Sequence, residues 1–344
     1  MKKECQDPSE HSEAQTSSLT YIGIDISKAT FDVSHHVGQT YHHIQYANTP
    51  KGIALFCSTL GSQHHCVMEA TGGYHLRLAL ALYHRGIAVS VINPLVIRRF
   101  MQMQLRRVKT DKADAEQIAR YAETAHPAHW KPDPATVTQM SQLASMIAMT
   151  TRHETALRNQ HDAFTLQPET DRTLLRQLKT EIAHHHLLKQ KLLQTLVTLA
   201  RTTYRDAFDA VVSIPGIGQQ TASLLVTVTH GFTAFETPKQ LIAYLGLSPR
   251  PYQSGTSVRG KGHICKMGMG HIRAALYLCS WSAVKHNPAC RECYARLRGK
   301  GKVAKVALIA VVNKLVRQAF AIAKDNSRFD PTRQAKLSYD PARN

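Results

Sequence analysis

Apolar and polar positions alternate two by two over residues 20–26 and 29–36, and again from Tyr41 to Tyr46 after a turn at Gly38-Gln39. That period predicts half-buried strands. The pattern becomes helical over Lys51–Leu60 and returns to a strand ending in Cys66-Val67-Met68-Glu69. A helix over Tyr74–His84, a strand over Ile87–Ile92 and a helix opened by Asn93-Pro94 follow. Three early strands on short turns, then alternating helix and strand, predict a mixed sheet covered by helices. The run from His126-Pro127 to Pro132-Asp133-Pro134 reads as a connector.

Residues 136–200 carry no strand pattern and predict two long helices broken near Gln167-Pro168. Leu174, Leu175, Leu178, Ile182, Leu187, Leu188, Leu192, Leu193 and Leu196 form an apolar stripe at helical spacing. Such a stripe fits either a dimerising coiled-coil arm or a hairpin packed internally. His184-His185-His186 reads as a solvated helical turn rather than a ligand set. From Tyr204 the character changes. Ile214-Pro215-Gly216-Ile217-Gly218, ahead of an Ala/Leu/Val helix, fits a helix-hairpin-helix turn. Gly216 and Gly218 would there let backbone N–H groups approach a phosphate; a plain helical turn fits equally. Residues 244–273, rich in Pro, Gly and Ser, predict a loop before a helix from about His271.

Candidate chemistry begins with acids in apolar settings. Asp25 lies inside Tyr21-Ile22-Gly23-Ile24-Asp25-Ile26, and Glu69 ends its apolar run directly before Ala70-Thr71-Gly72-Gly73. Asp111 and Asp114 stand at i and i+3 where a helix begins, so they share a face. Carboxylates on core strands need partners. A common reason for all four is a divalent metal, Mg²⁺ or Mn²⁺, which takes hard oxygen ligands and serves phosphodiester chemistry. Asp32 is expected to cap or face solvent, and Glu116 to project from another face of its helix. In the later loop, Ser254 has two readings. It could attack phosphorus, with Arg250, Arg259, Lys261 or Arg273 holding the phosphate, or it could only donate a hydrogen bond in a phosphate-binding loop that also carries Lys266.

Charge sharpens the picture. A formal net charge of +19 over 344 residues, with basic residues clustered at 98–109, 250–273 and 291–305, is the footprint of a polyanionic partner. Seven scattered cysteines suit a reducing cytosol, and the lone Cys290-x-x-Cys293 lacks the second pair a zinc site requires. No apolar run is read as a membrane span, and residues 1–19 read as a polar, disordered lead-in.

Five stretches together carry a family likeness: Gly-Ile-Asp-Ile-Ser-Lys (23–28), Met-Glu-Ala-Thr-Gly (68–72), Lys-Thr-Asp-Lys-Ala-Asp-Ala (109–115), Ile-Pro-Gly-Ile-Gly (214–218) and Gln-Ser-Gly (253–255). In this order they resemble the DEDD insertion-sequence transposases, relatives of the Piv and MooV DNA invertases. The resemblance spans residues 20 to about 325. It implies an α/β RNase H-like (RuvC-like) catalytic domain over 20–126, a helical coiled-coil linker over 136–203, a mainly α carboxyl domain over 204–325 and a tail over 326–344. It also implies that Asp25, Glu69, Asp111 and Asp114 are the metal-binding tetrad and that Ser254 is the nucleophile. Further implications are a homodimer or homotetramer with a composite site, donor and target DNA as substrates, and a structured noncoding guide RNA. Such an enzyme would act in the bacterial cytosol at the nucleoid. Cys265 and Met269 depart from the Ser and Asn usual in the family, and Ser257 is a neighbouring serine. The rivals are a metal-dependent junction nuclease, in which Ser254 only binds phosphate, and a non-enzymatic nucleic-acid-binding module.

Overall fold

The computed structural model describes residues 19–104, 111–250, 253–254, 258–259 and 263–331, with only the backbone of Asp111, Gln253, Ser254, Val258 and Arg259. The chain divides into two compact units, one ending at Pro132 and the other beginning at Asp133. The lead-in and most of the tail lie outside the described residues.

In the first unit, β1 (Thr20–Ile26), β2 (Thr30–Val37) and β3 (Thr40–Ala47) form an antiparallel meander. After α1 (Pro50–Ser58), strand β4 (His64–Glu69) pairs parallel with β1; after α2 (His75–His84), β5 (Ala88–Ile92) pairs parallel with β4. The sheet order is β3-β2-β1-β4-β5. Two-residue alternation gives each strand two apolar faces. Ile22, Ile24, Ile26, Phe31, Val33, Cys66 and Met68 pack with Ile53, Phe56, Leu78 and Leu82 from α1 and α2. The opposite face carries α3 (Pro94–Met103) and α4 (Asp111–Ala125), whose Ile97, Ile118 and Ala122 enclose Val67.

The second unit is mainly helical. Its long hairpin consists of α5 (Ala135–Thr165) and α6 (Arg172–Thr203). Next come α7 (Arg205–Val212), α8 (Gln219–Val228) and α9 (Pro238–Tyr244), the last opened by a capping box between Thr237 and Gln240. Four two-residue strands, β6 (Pro249–Arg250), β7 (Gln253–Ser254), β8 (Val258–Arg259) and β9 (His263–Ile264), lead to α10 (Gly270–His286), α11 (Pro288–Gly299) and α12 (Ala304–Lys324). Contrary to expectation, α12 is long and apolar enough to cross a membrane. Leu308, Val311, Val312, Leu315, Val316 and Ala319 are instead buried in the second unit's core, so its apolarity serves packing.

Candidate active site

The acids of the first unit meet through strand register. Ile24 pairs with Met68 in the parallel β1–β4 ladder, so Asp25 lies beside Glu69 at the next position. Both are half-buried, at the carboxyl ends of their strands. Gly23, two residues before Asp25 and therefore on the same face, lies against α4. A Cβ there would come within 2.2 Å of the Ala115 carbonyl oxygen and 2.3 Å of the Ala119 nitrogen. Beyond the far end of α4, His126 Nδ1 is 2.8 Å from the Tyr21 hydroxyl, near the amino end of β1. Helix α4 thus runs back along β1, and its first turn, with Asp111 and Asp114, lies toward the strand end that bears Asp25. Asp114 is half-buried; the Asp111 side chain lies outside the described residues.

Four carboxylates are an all-oxygen donor set of the kind Mg²⁺ and Mn²⁺ take. Strand register and the glycine contact bring the backbones carrying them to one end of one sheet face. Among the described residues, however, no three His, Cys, Asp or Glu side chains already form a group able to hold an ion. Cys290-x-x-Cys293 likewise forms no ligand group there. Cys290 is buried beside Gln318, and burial pushes its thiol up to about 12.

Sequence reasoning missed two arrangements on this face. Asp32, expected at the surface, is only 4% exposed and is the cross-strand partner of Asp25. The charged group stays buried because β3 supplies donors: Gln45 Nε2 donates to its two oxygens at 3.2 and 3.1 Å, and His43 Nε2 lies 2.8 Å from Oδ1. Glu116 does turn to another face, where it pairs with Arg120. The second arrangement lies toward the amino ends of the strands. The Ser90 hydroxyl is 2.6 Å from the Ala128 carbonyl, to which it donates, and 2.8 Å from His65 Nε2. With the hydroxyl proton so engaged, Nε2–H of a neutral His65 is the donor to Ser90. Burial, then the neighbouring His129, depresses the His65 pKa to about 4. The only prior signal was His65 and Ser90 at inward positions of their strands.

Residues 249–264, expected as a loop, contain paired strands. Pro249 pairs with Ile264 and Arg250 with His263; farther out, Gln253 pairs with Arg259 and Ser254 with Val258. Alternation is obscured there by Pro, Gly and Ser, while the pairing is anchored at the base. Cys265 N–H donates to Ser248 O at 2.9 Å and Lys266 N–H to Gly246 O at 3.1 Å. Gly246 and Gly268, both at positive φ, let the two backbones touch: a Cβ on Gly268 would lie 2.3 Å from the Tyr244 carbonyl oxygen. Ser254 is the last described residue of β7, paired with Val258. Lys261 and Ser257 lie outside the described residues, as does the Arg259 side chain. Arg250 and Lys266 are exposed. Arg273 is half-buried and donates to the Leu245 carbonyl at 2.9 Å, bracing the hairpin's base.

Gly216 and Gly218 lie between α7 and α8 and differ in role. A Cβ on Gly216 would fall 2.7 Å from that of Ala283 in α10, so close packing accounts for this glycine. Gly218 is exposed at the start of α8, with open space around its Cα and no side-chain cap. A cavity of about 830 Å³ opens where α8 and α10 begin, lined there by Gln220, Met269, Gly270 and His271.

The first unit presents acids at the ends of its strands, in a strongly basic chain. A family model described as transposase matches residues 22–168, and the model of the IS116/IS110/IS902 transposase family matches residues 209–295. The pilin gene-inverting protein of Moraxella lacunata is 30% identical over 322 residues, covering 91% of this chain and 98% of that protein. The transposase for insertion sequence element IS1328 of Yersinia enterocolitica is 26% identical over 288 residues, covering 76% of this chain and 83% of that protein. The insertion element IS110 43.6 kDa protein of Streptomyces coelicolor is 35% identical over 121 residues, or 35% of this chain and 29% of that protein. The chain belongs to the IS116/IS110/IS902 transposase family. It is a DNA-cleaving and rejoining recombinase, and the family implies a divalent-metal requirement.

Proposed function

We propose that the first unit is an RNase H-like (RuvC-like) catalytic domain in which Asp25, Glu69, Asp111 and Asp114 hold Mg²⁺ or Mn²⁺, and that Ser254 is the nucleophile. The observation carrying this reading is the β1–β4 register, which sets Asp25 beside Glu69 with the first turn of α4 toward the same strand end. A bound divalent ion supplies charge neutralisation at the scissile phosphate. The Ser254 Oγ–P bond forms as one P–O bond to deoxyribose breaks; the hydroxyl loses its proton and the released sugar oxygen gains one. The bond energy stays in the phosphoserine linkage, so rejoining is the reverse attack by a sugar hydroxyl and needs no ATP. Arg250, Arg259, Lys261 and Lys266 would bind phosphate along the hairpin, and Gly218 would present the start of α8 to the backbone.

The partners follow from the same reading: donor and target DNA, and a structured guide RNA on the remaining basic surface. A homodimer or homotetramer would bring one protomer's carboxylates to another's serine, with the α5–α6 hairpin as the associating arm. Action at the bacterial nucleoid completes the proposal. The relative covered to 98% is a gene-inverting protein, which favours DNA inversion as a second reading beside transposition.

The test is a covalent one. Ser254→Ala is expected to remove the protein–DNA band from denaturing gels, whereas Ser257→Ala keeps it. Asp25→Asn is expected to abolish cleavage while leaving DNA binding nearly intact. Nicked DNA without an adduct, still formed by Ser254→Ala, would make the protein a junction nuclease instead.

A further inference from the structure

Helices α11 and α12 meet at an exposed turn, Gly299-Lys300-Gly301-Lys302-Val303. Arg296, Arg298, Lys300, Lys302 and Lys305 cluster along the last turn of α11 and the start of α12, with Arg291 at the other end of α11, and Glu292 is the one acid between positions 291 and 306. Among the described residues none of these cations enters an ion pair. Three have contacts of their own. Arg291 donates to the carbonyls of Val284 and Lys285 at the end of α10, Arg296 lies 4.0 Å from Cys293 Sγ, and Arg298 donates to the Lys302 carbonyl at 2.7 Å, closing the turn.

Lys300, Lys302 and Lys305 have no such contact among the described residues, and all three are exposed. They surround the start of α12, where Val303 supplies no side-chain cap and the first turn holds no acid. Cations at the positive end of a helix dipole repel it. The corner therefore combines like charges and a helix start that all favour an anion.

The same helix leads back to the serine hairpin. Asn313 Nδ2 donates to the Leu247 carbonyl, at the hairpin's base, at 3.5 Å. Nine residues of helix from Ala304 to Asn313 rise about 14 Å, or about four steps of duplex DNA at 3.4 Å each. The corner also lacks an exposed aromatic ring on which an unpaired base could stack, the usual means of gripping single-stranded RNA.

We infer that the α11–α12 corner is a second backbone clamp, gripping duplex DNA that flanks the segment held at the hairpin. The inference rests on the proposed placement of DNA at the hairpin but not on Ser254 being the nucleophile. The test uses the full chain with Lys300, Lys302 and Lys305 all replaced by Gln, and a random-sequence duplex of about 30 base pairs, roughly three helical turns. Fluorescence anisotropy across a salt series reads the slope of log affinity against log salt. The expected result is a slope shallower by about two to three units, restored when the three positions are Arg.

An unchanged slope would overturn the clamp. A larger loss on a structured RNA than on the DNA duplex would reassign the surface to RNA and overturn the inference as stated. If the triple variant melts early, the three single Lys→Gln replacements carry the measurement, each removing about one unit or less. Adduct formation, measured separately, tests the Ser254 reading, so the two proposals fail independently.

Discussion

An added Cβ at Gly23 would fall 2.2 Å from the Ala115 carbonyl oxygen, in the backbone of α4. Neither side can yield cheaply, because one is a central strand and the other a packed helix. Gly23→Ala is expected to cost about 1–3 kcal/mol through overpacking. It is also expected to lift the first turn of α4 away from Asp25, so that cleavage falls further than the loss of fold accounts for. Thermal melting beside cleavage at a temperature where the variant stays folded separates the two effects; full activity would show that α4's close approach is unnecessary. Met269 is the converse case, a residue missing a contact. It stands at the N-cap of α10 and gives no side-chain hydrogen bond, where the family likeness leads one to expect Asn. Met269→Asn is expected to stabilise the protein by about 1 kcal/mol, read as a rise in melting temperature. A fall would mean that the partial packing of Met269 against the core outweighs the cap.

The α5–α6 hairpin is held in register by one buried acid. Glu154 of α5 is 5% exposed and pairs with Lys189 and, more weakly at 3.2 Å, with His186 on α6, as well as with Arg158 on its own helix. The Lys189 hydrogen bond is the chief cause that lowers its pKa to about 2. Glu154→Gln leaves Lys189 without its counter-charge and is expected to cost about 2 kcal/mol. Hydrogen exchange should then speed up across both helices; exchange unchanged in α6 would show that the leucine stripe alone sets the register. At this scale much was legible beforehand. The strands around Asp25 and Glu69, and the break near Pro168, follow from periodicity and proline chemistry. The β6–β9 ladders did not, because Pro, Gly and Ser hide alternation and the pairing depends on Gly246 meeting the backbone beside Gly268. Asp32, expected to cap or face solvent, was misjudged for a similar reason: its partners His43 and Gln45 come from a strand whose register no local pattern fixes. The four acids could be named from the sequence, but their assembly at one strand end is a matter of tertiary pairing.

Across the whole molecule the two units answer acid in different ranges. In the first, His65, His35 and His75 all have pKa values depressed below 6.5, with burial the largest cause in each. A histidine of this kind binds fewer protons folded than unfolded, so its contribution is fully present above pH 6.5 and is lost as the pH falls. For His65 the window runs from 6.5 down to about 4. In the second unit Glu154 also has a depressed pKa, and its contribution is lost only between 4.5 and about 2. That unit has one depressed histidine, His271, at the exposed start of α10. The first unit should therefore loosen first on acidification. The protein's two tryptophans provide one reporter for each unit, Trp130 and Trp281. Trp130 N–H donates to the Val89 carbonyl at 2.7 Å, directly after the His65–Ser90–Ala128 clip. With Trp281→Phe isolating Trp130, the denaturant midpoint reported by Trp130 should fall from pH 6.5 toward 4. With Trp130→Phe isolating Trp281, most of the decline should come below pH 4.5. His65→Gln keeps a donor for Ser90 but cannot take up a proton, so it should flatten the first decline without moving the second. Identical pH profiles from the two reporters would show that the units unfold as one and that acid sensitivity does not reside in the His65 clip.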